Sequence, residues 1–253
     1  MAKLAKLDID LEQRRIFSIA DDFIYYVDTQ MWTKSLATGG SAAASASGYG
    51  GTLSIGSGTT QYNDCYVHST NKPFLFGQDQ PLIAEARVKW TEASTNQAGF
   101  VFGVASVGTT GGNLLNSTGT GLVTSFSGAV IFKVPGTAQW QTCSSLSTTQ
   151  TITKVNTQDP NGNPTDGNYH TLRVEFKPIT STLAEVTYFI DNQQLRGTTT
   201  PTAVMGIVDQ LTYTSAAAMY VVVGNQCGTT SAETLLVDYI VAEQIRYASG
   251  VYA

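Results

Sequence analysis

The rhythm of apolar residues divides the chain in two. Within residues 1–17, Leu4, Leu7 and Leu11 share one helical face, while Leu7, Ile9 and Leu11 share one strand face, so period alone leaves helix and strand both open. This stretch is also dense in charge, with Lys3, Lys6, Asp8, Asp10, Glu12, Arg14 and Arg15. It is expected to form an N-terminal arm that packs on its own domain or reaches a neighbouring subunit. In the second case Leu4, Leu7, Leu11, Arg14 and Arg15 are its candidate contacts.

From "FSIADDFIYYVDTQMW" onward the apolar runs become short and alternate with period two, separated by clusters of Gly, Ser, Thr and Asn. Strands are predicted at 82–90, 99–106, 128–134, 171–177, 184–190, 218–224 and 234–245. Residues 37–60 are expected to be a loop running into the alternating "GTLSI". Only "PTAVMGIVDQL" (201–211) offers an interior helix. With no crossover helices between strands, residues 18–253 are expected to form one all-β domain, an antiparallel β-sandwich of jelly-roll type. Alternation also assigns the faces. Leu82, Ala84, Ala86, Val88 and Trp90 point inward, as do Leu172, Val174 and Phe176 against Val186, Tyr188 and Ile190. Glu85, Arg87, Lys89, Arg173, Glu175, Lys177, Glu185 and Thr187 remain outside, where a cross-strand pair such as Arg173 with Glu185 is worth about 1 kcal/mol or less.

Composition narrows the function classes. Of 253 residues only 13% are charged, well below roughly 25% for ordinary soluble chains, and the formal net charge is -5. A surface of hydroxyls and amides follows, and without clustered Lys and Arg neither nucleic acid nor an anionic membrane is an expected partner. Cys65, Cys143 and Cys227 are odd in number and lack CxxC spacing, so buried free thiols are expected, with no disulfide framework and no zinc site. No signal-type h-region or membrane-length apolar run is found, which points to synthesis in a cytoplasm.

"DGNYHTLRVEFKP" (166–178) followed by "EVTYFIDNQ" (185–193) resembles the laminin-G and pentraxin type of concanavalin-A-like sandwich. The motif is carried by Asp166, Gly167, Tyr169, His170, Leu172, Val174, Phe176, Val186, Tyr188, Ile190 and Asp191. The closing "LLVDYIVAEQI" is similar to the last strand of that superfamily, which returns beside the N-terminal strand. Bottom-up, Asp-Gly supplies a tight turn, His170 is expected to be a hydrogen-bonded structural residue, and Asp191-Asn192 a hairpin turn. Glycosidases of the superfamily carry an E-x-D-x-E array, and retaining hydrolysis needs two carboxyl groups about 5 Å apart. Here Glu85, Glu175 and Glu185 each stand alone beside Arg or Lys. No catalytic residues, metal or cofactor are therefore expected. "DPNGNPTDG" (159–167), with Asp159, Asn161, Asn163 and Asp166, echoes a calcium loop, but Pro164 and His170 occupy positions that such a loop gives to Gly and Glu.

The combination "FSIADDFIYYVDTQMW", "GGTLSIGSGTT" and "PLIAEARVKW" resembles tailed-bacteriophage virion proteins of this fold, including capsid decoration or cement proteins. That resemblance implies a non-enzymatic subunit of the virion, a homo-oligomer and specifically a trimer, whose partner is the major capsid protein. The alternative is a carbohydrate-binding, lectin-like module of a phage fibre or host-recognition protein, with Trp32, Tyr49, Tyr62 and Trp140 as glycan-facing aromatics.

Overall fold

The computed structural model describes residues 16–45, 50–77, 80–107, 114–155, 167–213 and 216–246. In chain order the elements are β1 (Ile16–Asp21), β2 (Trp32–Leu36), β3 (Ser41–Ser45), β4 (Thr52–Gly56), β5 (Asp64–Ser69), β6 (Phe74–Phe76), β7 (Leu82–Thr91), β8 (Ala98–Ala105), β9 (Gly128–Lys133), β10 (Trp140–Leu146), β11 (Thr149–Lys154), β12 (His170–Pro178), β13 (Leu183–Ile190), β14 (Gln193–Gln194), α1 (Thr202–Met205), β15 (Val208–Thr212), β16 (Ala217–Cys227) and β17 (Thr234–Ile245). The first sheet runs β14-β13-β12-β7-β17-β4-β3, with β1 on β17 and β15 on β13. The second runs β11-β10-β9-β8-β16-β5-β2, with β6 on β16. All of these neighbours pair antiparallel, and the two sheets face each other as a sandwich.

In the first sheet the alternation has its expected meaning. Leu172 pairs with Ile190, Val174 with Tyr188 and Phe176 with Val186, and all six are buried. Along β7 the inward set joins the main core, and β7 pairs side by side with β17, which also lies antiparallel to β1 from Ile16↔Ile245 to Asp21↔Ile240. Strand β1 thus already contains Ile16 and Phe17, the last two positions of the expected arm. Residues Leu4, Leu7, Leu11, Arg14 and Arg15 lie outside the described residues. One expected contact differs. The hairpin register sets Arg173 opposite Phe189 and Lys177 opposite Glu185. Arg173 therefore makes ion pairs with Glu175 at 2.9 Å and Glu85 at 3.6 Å, and its guanidinium lies 4.3 Å from the Phe189 ring centroid.

The segment at 201–211 is mostly extended. A single turn, α1, stops at Gly206, whose φ of +86° ends the helix, and Val208–Thr212 then alternates as edge strand β15. Within 37–60 there are two strands, β3 and β4, where one was expected.

The second sheet is built differently. Every residue of β5, β8 and β9 is buried, which requires cover on both faces. One face holds Phe100, Phe102, Val104, Ile131, Val221 and Val223 against the first sheet, where Trp90 stacks on Phe100 at 5.4 Å and meets Trp140 at 4.9 Å. The opposite face holds Tyr66, Val101, Val130, Phe132, Cys143 and Val222, and Leu114, Leu115, Leu122 and Phe126 close over it as a second core.

Hydrogen bonds fasten this cover at several points. The Leu115 amide donates to Tyr66 Oη (3.0 Å), which in turn donates to Asp64 Oδ2 (2.8 Å). Gln226 Nε2 donates to the carbonyls of Asn116 and Tyr62, and Gln150 Nε2 to that of Val123. All three cysteines are buried and free, as expected.

Truncating Phe126 to Ala removes a ring from the second core and leaves a cavity. Urea unfolding followed by fluorescence is expected to show a loss of about 3–5 kcal/mol, with the β-type dichroism of the folded state retained.

Candidate functional site

Residues 22–31, between β1 and β2, form a loop held rigidly from within. Asp21 at the end of β1 accepts the Phe23 amide on Oδ1 (2.8 Å) and the Trp32 indole N–H on Oδ2 (2.7 Å). Those two bonds fold the chain back so that the Phe23 ring is fully buried, with its centroid 5.7 Å from that of Trp32. Phe23 adopts φ +53° to do so, and the neighbouring chain must come very close. A Cβ on Gly51 would lie 1.9 Å from the Phe23 carbonyl carbon, so only glycine fits there. Farther along, Asp28 Oδ1 accepts the Lys34 amide (3.0 Å), Thr29 donates to the Trp32 carbonyl (2.8 Å), and Thr70 donates to that of Met31 (2.8 Å). Tyr26 packs half-buried on the core, where burial, then Asp28, pushes its hydroxyl up to about 12.

With Phe23, Tyr26 and Trp32 turned in, the intervening side chains must turn out. Ile24 is 56% exposed, Tyr25 84%, Val27 54% and Met31 44%. On a chain with so few charges this is a concentrated apolar display, rimmed by Asp22 and Asp28. Beside it lies a shallow depression lined by Ala20, Asp21, Asp22, Tyr239 and Val241.

The expected glycan-facing aromatics are dispersed and largely hidden. Trp32 and Trp140 are 1% and 0% exposed, one as the inner pillar of the loop and the other stacked in the main core, so neither presents a face outward. Tyr62 is half-buried, its ring lying where a Cβ on Gly119 would sit. Tyr49 lies outside the described residues, as do Asp159, Asn161, Asn163 and Asp166 of the calcium-like stretch.

Besides the Tyr66–Asp64 pair, further titratable side chains are enclosed in the fold. At one end of the sandwich the buried Lys133 ammonium contacts Glu92 Oε1 at 2.6 Å and donates to the Ala98 carbonyl at 2.8 Å. Glu92 also accepts the Asn96 amide, while buried Glu233 accepts that of Ala93 (2.8 Å), so the cluster ties the turn after β7 to the segment before β17. Burial lowers the pKa of Lys133 and raises that of Glu233. Elsewhere, Asp209 of β15 points inward and accepts the Tyr188 hydroxyl at 2.9 Å; burial raises its carboxyl above the ordinary range. His170 Nδ1 lies 2.7 Å from Asp191 Oδ2, and Asp191 Oδ1 accepts the Thr171 amide at 2.9 Å. This closes the Asp191-Asn192 turn, both of whose residues have positive φ. The carboxylates weighed for hydrolysis are engaged on the outer face of the first sheet: Glu85 accepts the Tyr239 hydroxyl at 2.8 Å, and Glu175 pairs with Arg173.

No family model and no curated protein sequence matches the chain. Solved structures do match. A protein of unknown function from Shewanella oneidensis is similar over 97% of both chains at 15% identity, with a TM-score of 0.57. Peanut lectin is similar over 92% of this chain and 98% of its own at 11% identity, TM-score 0.55. An endo-1,3-β-glucanase from Streptomyces sioyaensis covers the same shares at 15% identity, TM-score 0.53. The chain has the concanavalin-A-like lectin fold. At these identities the likeness is one of architecture alone.

Asp209 makes stability depend on pH in a definite direction. Its raised pKa means that the folded chain takes up this proton before the unfolded chain does, so the group adds stability as pH falls. The contribution is complete below the unfolded value of about 3.9 and absent above the raised folded value. Between about pH 8 and pH 4, wild type is expected to gain unfolding free energy relative to Asp209→Asn on acidification, measured by denaturant titration of both proteins.

Proposed function

We propose that this chain is a non-enzymatic binding subunit that adheres through the loop at 22–31, and that its setting is the outer surface of a tailed-phage head, where it decorates and stabilises the major capsid protein. The observation that carries the reading is the outward set Ile24, Tyr25, Val27 and Met31, held in place by Asp21 and Trp32. Aromatic and aliphatic groups on a pre-organised loop bind with little ordering cost. The filled outer face of the second sheet favours the same conclusion, because an apolar cover sits where an open sandwich would offer a groove. Several copies on one particle would add modest contacts into firm attachment.

The test uses heads of the virus that encodes the chain. Wild-type protein is expected to co-sediment with them and raise their resistance to heat, whereas the Ile24→Ser, Tyr25→Ser double variant is expected to keep its melting temperature and lose at least about tenfold in affinity. Equal attachment by the variant would remove the loop from the interface. Removing residues 1–15 leaves β1 whole, and retained folding with weakened attachment is the result expected if the arm contributes.

A second reading has its own support. The depression beside the loop combines the Asp22 carboxylate with the Tyr239 ring, groups suited to sugar hydroxyls and a sugar face, on a fold shared with peanut lectin. Specific retention on a glycan array, lost in Asp22→Ala but not in the double loop variant, would favour a lectin role over capsid decoration.

A further inference from the structure

Strands β8 and β9 send Phe100, Phe102, Val104, Ala129 and Ile131 into the space between the sheets. The next two strands change character. Thr142 of β10 lies between Ile131 of β9 and Thr153 of β11, and Ser144 lies between Ala129 and Thr151. Residues paired across strands project to the same face, so these four hydroxyl side chains point inward with Ile131 and Ala129. Trp140, two residues before Thr142, shares that face and belongs to the main core. A row of Ser and Thr thus stands where the neighbouring strands carry an apolar one.

Two members of this face are buried without a partner. Trp140 and Thr142 are each 0% exposed, and among the described residues neither Trp140 Nε1 nor Thr142 Oγ1 has a hydrogen-bond partner. An indole N–H can only donate, and a buried donor left unpaired is costly. Ser144 is also buried, but it reaches Asp209 and Tyr188 of the opposing sheet, where the Tyr188 hydroxyl donates to Asp209 Oδ2 at 2.9 Å. Toward the margin of the second sheet Thr153 is half-buried and Thr151 exposed, so the row of hydroxyls runs from the interior to the surface.

We propose that this row is an internal water-binding site, a short file of ordered water molecules that enters past Thr151 and Thr153 and reaches Thr142 and the Trp140 indole. The spacing suits it. Side chains two residues apart on one strand stand about 6–7 Å from each other, and those facing across a strand pair about 5 Å. One water spans a gap of that size with two bonds of about 2.8 Å each. Every water in the file has at least two hydroxyl or indole partners, which an ordered internal water requires. An apolar occupant would leave the indole N–H and the Thr142 hydroxyl unpaired. The site uses no residue of the loop at 22–31 and stands whether or not that loop is adhesive.

Thr142→Val tests it, because the change removes the hydroxyl and keeps the shape of the side chain. In a dry interior it relieves an unpaired group and raises the melting temperature. With water bound it breaks the file, and the melting temperature is expected to fall by about 2–4 °C. Hydrogen exchange of the Trp140 indole N–H, followed by NMR, gives an independent reading. Exchange through the file is expected to slow at least about tenfold in the variant, whereas exchange by unfolding alone would speed up in a less stable fold. A crystal structure of the wild-type chain needs no variant, and water is expected within hydrogen-bonding distance of Thr142 Oγ1. A melting temperature unchanged or raised by Thr142→Val, an indole N–H that exchanges as fast or faster in the variant, or a wild-type interior dry at Thr142 would overturn the proposal.

Discussion

The second sheet is apolar on both faces, and the rest of the architecture answers that constraint. Strands β8 and β9 expose almost nothing. A single layer of that kind cannot stand against water on either side. The first sheet covers one face with Leu172, Val174 and Phe176 and their neighbours, and residues 114–126 cover the other with Leu114, Leu115, Leu122 and Phe126. The second cover is costly in backbone polar groups, which is why Tyr66, Gln226 and Gln150 reach out to bond it. The outer face of the second sheet is thus filled by the chain itself.

At 22–31 the same hydrophobic force that buries Phe23 and Trp32 sets the direction of the residues between them. Asp21 acts as the fulcrum, one carboxylate holding both an amide and an indole. On the outer face of the first sheet, by contrast, Arg173, Glu85, Glu175, Phe189 and Tyr239 satisfy one another, and pairs of this partly exposed kind contribute little to stability. They keep that face wet and evenly charged.

Much of this was legible in the amino-acid order, and the residues show where legibility stopped. Alternation identified β7, β12 and β13 with their inward faces, and β17 as a strand, because a half-buried strand writes its burial directly into period two. The unbroken runs "GFVFGVAS" and "GAVIFK" marked strands but carried a further message, that both faces are covered, which only a search for a second cover could have drawn out. Register was not available. Arg173 sits opposite Phe189 because the turn at 179–182 sets the pairing, and composition is silent on turn length. Trp32 and Trp140 lie near turns in the chain yet point inward, since proximity to a turn says nothing about direction. Strand β10 escaped notice because "WQTCSSL" is rich in hydroxyls, although Thr142, Ser144 and Ser145 are buried. The loop at 22–31 did leave a signal: five consecutive large side chains, Phe23 to Val27, too many for one strand face.

The enclosed state of Cys65, Cys143 and Cys227 has a practical meaning. No bridge between sulfurs contributes to its folding, and no thiol is placed for an oxidant to reach. The fold therefore draws none of its stability from a disulfide, and thiol reagents that do not unfold the chain are expected to leave it intact.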